Sequence, residues 1–286
     1  MAVEFTAHNI RLDDGTLTKP EMGLSIGDHP WFVSSRRLLE TVFPGDKSRF
    51  RLADLGCLEG GYAVEFARTG FQVLGLEIRE SNIAACRHVK ANTNLPNLEF
   101  VQDDAWNIAK HGAFDAVFCC GLLYHIDRPK QFLQVLSGVT TKLLILQTHV
   151  APAVSPETDR LPRFLRRLMI RFLNRKKTCI DKYDLSASSE NESLRGRWYP
   201  EFLSDEGFRD RESQKWNSWD NRRSFWVQRE YLLQAIQEVG FDLVMEQFDS
   251  LGPQIADAMI RGYYKTESRG TFIGIKSPSP KSQHTS

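Results

Sequence analysis

A chain of 286 residues, 41% hydrophobic and 26% charged with a net charge of +1, has room for one sizeable domain with an appendage and the ordinary balance of a globular protein. A charge so near zero gives no electrostatic case for a nucleic-acid partner, and no apolar stretch reaches the roughly 20 residues needed to span a bilayer. Met1–Lys19 has no apolar run flanked by basic residues, so no secretory signal is expected; Cys57, Cys86, Cys119, Cys120 and Cys179 contain no C-x-x-C pair, so reduced thiols, no metal site and a cytoplasmic setting are expected.

The first unit, residues 1–48, opens with a polar segment, Phe5 to Met22, that turns at Asp13-Asp14-Gly15. Trp31, Phe32, Leu38, Leu39, Val42 and Phe43 then recur at helical spacing from Pro30 until Pro44-Gly45 ends the pattern. The core unit, residues 49–150, starts with the apolar run Phe50, Leu52, Ala53, Leu55, the length of a buried strand. Gly56 and the pair Gly60-Gly61 break it, and Tyr62, Ala63, Val64, Phe66 and Ala67 read as an amphipathic helix. A glycine turn between strand and helix lets a ligand press against the backbone and meet the free N–H groups of the helix start. The spacing Gly56-x-x-x-Gly60-Gly61 is neither the dinucleotide fingerprint nor a P-loop.

A second strand, Phe71 to Leu76, ends at Glu77, about 20 residues past the glycine turn, where a carboxylate can accept from ribose hydroxyls. A helix over Ser81–Asn92 leads to a third strand at Leu98, Phe100 and Val101, which runs into Gln102-Asp103-Asp104-Ala105-Trp106. Phe114–Cys120 is a fourth strand, opening into Gly121-Leu-Leu-Tyr124-His125, and after a helix over Gln131–Ser137 a fifth strand, Leu143–His149, brings His149 to the same rim. Strands alternating with helices predict a parallel, doubly wound α/β sheet with ligands at the strands' carboxyl ends. Residues 229–276 complete it with a helix, Arg229–Val239, and two strands, Phe241–Phe248 and Gly270–Ile275; residues 277–286, rich in Ser and Pro, are expected to be disordered.

Residues 151–228 are far longer than an ordinary connection of roughly 4–6 residues, so we expect an inserted substrate cap. Leu161, Phe164, Leu165, Leu168, Met169, Phe172 and Leu173 keep helical spacing, with Arg163, Arg166, Arg167, Arg171, Arg175, Lys176 and Lys177 filling the rest. That basic helix reads as a solvated cap face, an anion-binding lid or a membrane-surface helix. Four of the six tryptophans follow, Trp198, Trp216, Trp219 and Trp226. They either face a ring or a cation, or bury the cap onto the sheet. Arg222 and Arg223 stand among them as candidates for a substrate anion.

Asp54-Leu-Gly56-Cys57 followed by Gly60-Gly61 resembles the first motif of class I S-adenosylmethionine-dependent methyltransferases, usually D-x-G-x-G-x-G, with Leu58 where the middle glycine normally lies. Gly121-Leu-Leu-Tyr124-His125 resembles a loop of small-molecule methyltransferases and of enzymes that alkylate the wobble uridine of tRNA. The resemblance implies a mostly parallel, seven-stranded Rossmann-like sheet with a reversed last hairpin and an inserted helical and aromatic cap. It implies an S-adenosylmethionine site at Asp54, Gly56, Cys57, Gly60, Glu77, Ile78, Asp104, Ala105, Cys120 and Gly121, with Asp104 on the adenine amino group. The helix over Pro30–Phe43 would lie across the cofactor mouth or cap the sheet edge. His125 and His149 are candidate bases because imidazole titrates near neutral pH, Tyr124 would orient acceptor or cofactor, and each has a structural role as its alternative. Trp198, Tyr199, Trp219, Arg223 and Trp226 are the candidate acceptor contacts. The expected function is methyl transfer to a small polar or ring-containing molecule, a sugar or secondary-metabolite hydroxyl among them. The alternatives are a tRNA alkyltransferase, a nicotinamide-dependent oxidoreductase and a non-catalytic cofactor-binding protein.

Overall fold

The structure, a computed structural model, describes residues 3–153, 185–202 and 204–277. The expected basic helix within 161–177 and residues 278–286 of the expected tail lie outside the described residues. In chain order come α1 (Pro30–Val42), β1 (Arg51–Leu55), α2 (Gly61–Arg68), β2 (Gln72–Glu77), α3 (Glu80–Ala91), β3 (Leu98–Gln102), β4 (Phe114–Cys120), α4 (Pro129–Val139) and β5 (Thr140–His149). Then follow β6 (Ser189–Asn191), β7 (Leu194–Pro200), α5 (Asp205–Arg209), β8 (Arg223–Val227), α6 (Arg229–Glu238), β9 (Leu243–Gln247) and β10 (Arg269–Ile275). The main sheet has seven strands in the order β3-β2-β1-β4-β5-β10-β9. The first five are parallel, and β10 runs antiparallel to both β5 and β9. This is the doubly wound, Rossmann-like sheet with a reversed last hairpin.

Strand periodicity of two sorts the core into two faces. Leu52 of β1, Ala116 and Phe118 of β4, Leu143 and Ile145 of β5 and Ile273 of β10 meet Phe32 and Leu39 of α1 and Val64 and Phe66 of α2. Their neighbours Ala53, Leu55, Val117, Cys119, Leu144, Leu146 and Phe272 face α4 and α6 through Phe132, Leu133, Leu136, Leu232 and Ile236. Phe114 lies with the second set because the β4–β5 register slips between Phe114 and Ala116. Burial on both faces makes these strands apolar throughout, which is why they are legible as runs. The sheet winds outward from β1, to β2 on one side and to β4 on the other, and so opens a crevice at the β1–β4 switch point.

The described part of the insertion adds a three-stranded antiparallel sheet, β6-β7-β8. Two backbone bonds stitch it to the core rim: Phe225 N–H donates to Ile126 O at 2.9 Å and Ala151 N–H to Val227 O at 2.9 Å. Trp198 pairs with Phe225 across β7 and β8, and Arg197 with Trp226. Between β9 and β10 short helical turns over Asp249–Gln254 and Ile255–Ile260 return the chain past α1, where Asp249 accepts from Ser34 Oγ. Among the described residues no helix is long and apolar enough to cross a membrane.

Candidate functional site

A cleft of about 620 Å³ lies over the carboxyl ends of β1, β2 and β4, between the N-terminal segment and the insertion. Its floor is carboxylate-rich. Asp54, the fourth residue of β1, is 1% exposed, and its Oδ2 has no hydrogen-bond partner among the described residues. Burial, aided by the charge of Glu77, pushes its pKa up to about 8. Glu77 closes β2, and three backbone N–H groups hold it: Leu58 at 3.0 Å on Oε2, Ile78 at 3.0 Å and Arg79 at 2.9 Å on Oε1. Asn82 Oδ1, also on the cleft wall, is buried without a partner among the described residues.

The turn above this floor takes left-handed backbone at Gly56 (φ 65°), Leu58 (φ 53°) and Gly60 (φ 81°). A side chain at Gly60 would collide with Phe100, since its Cβ would come within 2.5 Å of that ring. Leu58 thus accepts a conformation that glycine would take at no steric cost. Cys57 turns its side chain away, into a small buried cluster with Ile83 and Cys86, with the two sulfurs 3.9 Å apart. Asp104 caps the following 3₁₀ turn by accepting from Trp106 N–H at 2.9 Å, and Ala105 lies beside it on the wall. Asp103, its alternative, is taken up by Asn107 at 2.7 Å and His111 at 3.0 Å. Asp220 of the insertion faces Asp104; burial and that neighbour's charge push its pKa up to about 6. Cys120 donates to Gln147 Oε1 at 3.1 Å, its thiol pushed up to about 12 by burial, and Gly121 turns at φ 76°.

The N-terminal segment straps this turn down. Thr6, Ala7 and His8 all donate backbone N–H groups to the buried carboxylate of Glu59. His8 Nδ1 accepts the Gly61 N–H at 3.0 Å, capping α2, and burial lowers its pKa to about 4, so the ring is neutral. His8, His29 and Trp31 line the cleft; the helix over Pro30–Val42 begins at its mouth and buries Phe32 and Leu39 in the core.

On the opposite side the insertion closes over the rim. Arg79 is buried and donates to the carbonyls of Arg211 at 2.9 Å and Gln214 at 3.1 Å, with its guanidinium 5.1 Å from the Trp219 ring. His125 lines the cleft, and its Nδ1 lies 3.0 Å from both carboxylate oxygens of Glu201, which is 1% exposed. Glu201 also accepts from Ser218 N–H at 2.8 Å and Ser224 Oγ at 2.5 Å, while the His125 carbonyl accepts from Ser218 Oγ at 2.9 Å and Asn221 Nδ2 at 3.0 Å. A carboxylate on Nδ1 requires a proton there and leaves Nε2 the basic nitrogen.

Of the candidates named from sequence, Tyr124, His125 and Trp219 share this wall with the cofactor residues. His149 stands behind Tyr124, with ring centroids 4.7 Å apart, and its Nδ1 is 3.2 Å from Ser268 O. Trp226 is stacked between His149 at 4.8 Å and Tyr199 at 4.8 Å, and Trp198 packs on Phe225 with the Arg223 guanidinium 4.1 Å from its ring. Trp198, Tyr199 and Trp226 join the small sheet to the core and Arg223 lies exposed over Trp198, so none of these four cap side chains lines the cleft. Nothing local in the sequence marks Glu201, Arg79 or Arg269, another residue lining the cleft, as part of the site. Glu201 ends an aromatic run, Trp198-Tyr199-Pro200-Glu201, and a proline-acid step at a strand end is the one available hint.

The orphaned oxygens of Asp54 and Asn82, the carboxylate set and the open glycine turn suit a ligand rich in N–H and O–H donors with positive charge. Residues 53–142 match the family profile described as a methyltransferase domain. The ubiquinone biosynthesis O-methyltransferase of Dictyostelium discoideum is 34% identical over 97 residues, which are 30% of this chain and 30% of that protein. That of Acinetobacter baumannii (strain AYE) is 29% identical over 86 residues, 29% of this chain and 36% of that protein. The chain thus matches about a third of the length of these curated relatives. Among solved structures, the N-terminal domain of EvdMO1 with SAH bound superposes with a TM-score of 0.57 at 21% identity, covering 85% of this chain and 81% of that one. The same domain in the presence of SAH and D-fucose gives 0.58 at 21%, covering 88% and 85%.

Proposed function

We propose, from the premise that residues 53–142 form a class I S-adenosylmethionine-dependent methyltransferase domain, that the whole chain methylates a hydroxyl of a small polar acceptor. The observation that carries this reading is the His125–Glu201 pair on the wall of the carboxylate-floored cleft. Asp54, Glu77, Asn82 and Asp104 would hold the cofactor, with Gly56, Gly60 and Gly121 admitting it close to the backbone. Bound there, S-adenosylmethionine supplies an electrophilic methyl group on a positively charged sulfur. Nε2 of His125 takes the acceptor proton, and Glu201 holds the ring in the tautomer with its proton on Nδ1, fixes its orientation and stabilises the imidazolium that forms. Tyr124 and Trp219 shape the space beside it, and the insertion, held by Arg79, keeps water away. The presence of D-fucose with one of the similar structures and the O-methyltransferase names of the relatives agree with a hydroxylated acceptor.

Calorimetric titration with S-adenosylhomocysteine tests the cofactor half. Glu77→Ala should weaken binding by about tenfold or more, because a charged acceptor of ligand hydroxyls is lost. Failure of the unmodified chain to bind, or tighter binding of a nicotinamide dinucleotide, would refute the proposal.

A further inference from the structure

A second cavity, of about 390 Å³, adjoins the cleft and shares Trp31 and Arg269 with it. Its size suits a small ligand. Its floor is a row across the sheet: Gln147 of β5, Thr271 of β10 and Gln247 of β9 are register partners, so all three point to one face. Two residues earlier on β5, Ile145 lies in the buried apolar core, and Ile273 on β10 does too. The same sheet face therefore changes from hydrocarbon to amide and hydroxyl at its rim, where Ser250 and Gln254 add further polar groups.

Two features of this cavity want a partner. Gln247 donates its Nε2 to Ser34 O at 3.1 Å, and its Oε1 is buried with no partner among the described residues. An unsatisfied buried acceptor is costly, and a ligand hydroxyl would supply the missing donor. Arg269 is the second feature. Its Nε donates to Gln147 Oε1 at 3.0 Å and its guanidinium lies 4.8 Å from the Trp31 ring centre, which fix its plane. No ion pair neutralises it among the described residues, whereas the other cavity arginine, Arg261, leans on Asp257 at 3.9 Å. The Arg269 Nη2 lies toward Gly121 at the boundary with the cleft, so the guanidinium can offer N–H groups to a planar anion lying where the two cavities meet. With Arg261 paired to Asp257 and Glu267 the one carboxylate among the described lining residues, the lining offers at most one unpaired cation, Arg269, which suits a singly charged carboxylate better than a phosphate dianion.

We propose that this cavity is the acceptor subsite, and that the acceptor is a hydroxylated carboxylic acid, of the sugar-acid type, whose carboxylate pairs with Arg269 and one of whose hydroxyls donates to Gln247. The inference rests on the methyltransferase reading and deepens it.

The test uses the full chain saturated with S-adenosylhomocysteine and paired probes that differ only in the acid, D-galacturonate against D-galactose and D-gluconate against D-sorbitol, followed by calorimetry or saturation-transfer NMR. The acids should bind about tenfold or more tighter than their neutral partners. Arg269→Gln should erase that preference, Arg269→Lys should keep part of it, and Gln247→Leu should weaken acid and alcohol alike. Equal binding of acid and alcohol in both pairs would overturn the proposal. So would loss of S-adenosylhomocysteine affinity in Arg269→Gln with affinity for 5′-methylthioadenosine intact, since the carboxylate held would then be the cofactor's. A chain that fails to bind S-adenosylhomocysteine at all refutes the methyltransferase reading instead.

Discussion

The floor of the cleft and its far wall are assembled in different ways. The floor is made at consecutive strand ends: Asp54 near the end of β1, Glu77 as the last residue of β2 and Asp104 just after β3, each placed by its own strand. The wall depends on chain closure. Glu201 reaches His125 across 76 positions and Arg269 reaches Gln147 across 122. Floor groups are tuned by burial and by backbone N–H groups, whereas wall groups are tuned by one another. Changes to the floor should therefore register in cofactor affinity, and changes to the wall in turnover with the cofactor still bound.

The sharpest break of that comparison is His125→Ala. Removing a general base costs about 10²–10⁴-fold in rate, and kcat should fall in that range while affinity for S-adenosylhomocysteine stays within about twofold. A parallel loss of both would dissolve the distinction between floor and wall. His149→Ala separates the two histidines. With its ring stacked on Trp226 and its Nδ1 at the Ser268 carbonyl, it should cost stability before rate.

Glu201→Gln is smaller and more telling. Glu201 acts through His125, so turnover should fall by no more than in His125→Ala, within about 10²–10⁴-fold, and the pH–rate profile should shift, while a His125→Ala background should show no further loss. A merely structural Glu201 would lower the melting temperature and leave the profile of the surviving enzyme unmoved.

The same division explains what could be read from the sequence. The glycine turn, Glu77 and Gly121 announce themselves because backbone geometry and strand length fix where they fall. Both faces of β1, β4 and β5 are buried, so their apolar runs carry the sheet order almost unaided. The small β6-β7-β8 sheet is short and aromatic, and its strands pair across loops that no periodicity records. Polar side chains that find their partners only in three dimensions, such as Arg79 with the 211–217 carbonyls or Gln247 with the Ser34 carbonyl, have no local signature. Composition leaves the tryptophans open between ring platforms and anchors of the cap; Trp198 and Trp226 are packed inward as anchors, and Trp219 is held on the cleft wall by Arg79 and Arg211.

On the floor, Asp54→Asn should have two opposed effects. The folded pKa of Asp54 is raised to about 8 from 3.8, so the native chain holds a proton that the unfolded chain has released. Its stabilising contribution is complete below 3.8 and is lost as pH rises through 8. His8, lowered to about 4 from 6.5, works in the other sense and loses its contribution as pH falls through that window. The Asp54 effect is therefore read between about pH 6.5 and 8, where the unliganded native chain should lose stability and Asp54→Asn should not. The sulfonium of S-adenosylmethionine favours the ionised carboxylate, so its affinity relative to S-adenosylhomocysteine should rise over the same interval, and the Asn variant should abolish that rise. A flat ratio in the native chain would detach Asp54 from the charged sulfur.

The smallest effect concerns Leu58. Left-handed backbone costs a side-chain-bearing residue about 1–2 kcal/mol, and glycine none, while glycine gives back about 0.5–1 kcal/mol in unfolded-state entropy. Leu58→Gly and Leu58→Ala both remove the same contact with the cleft, so the difference between them isolates the strain. The Gly variant should melt higher than the Ala variant by about 1–4 °C. Both should bind S-adenosylhomocysteine a few-fold more weakly than the native chain, because Leu58 lines the cleft beside Glu77 and its N–H anchors that carboxylate only while the turn keeps its shape. An Ala variant as stable as the Gly one would mean that the turn relaxes to negative φ, and Glu77 would then have to lose the Leu58 N–H bond on which the floor's geometry depends.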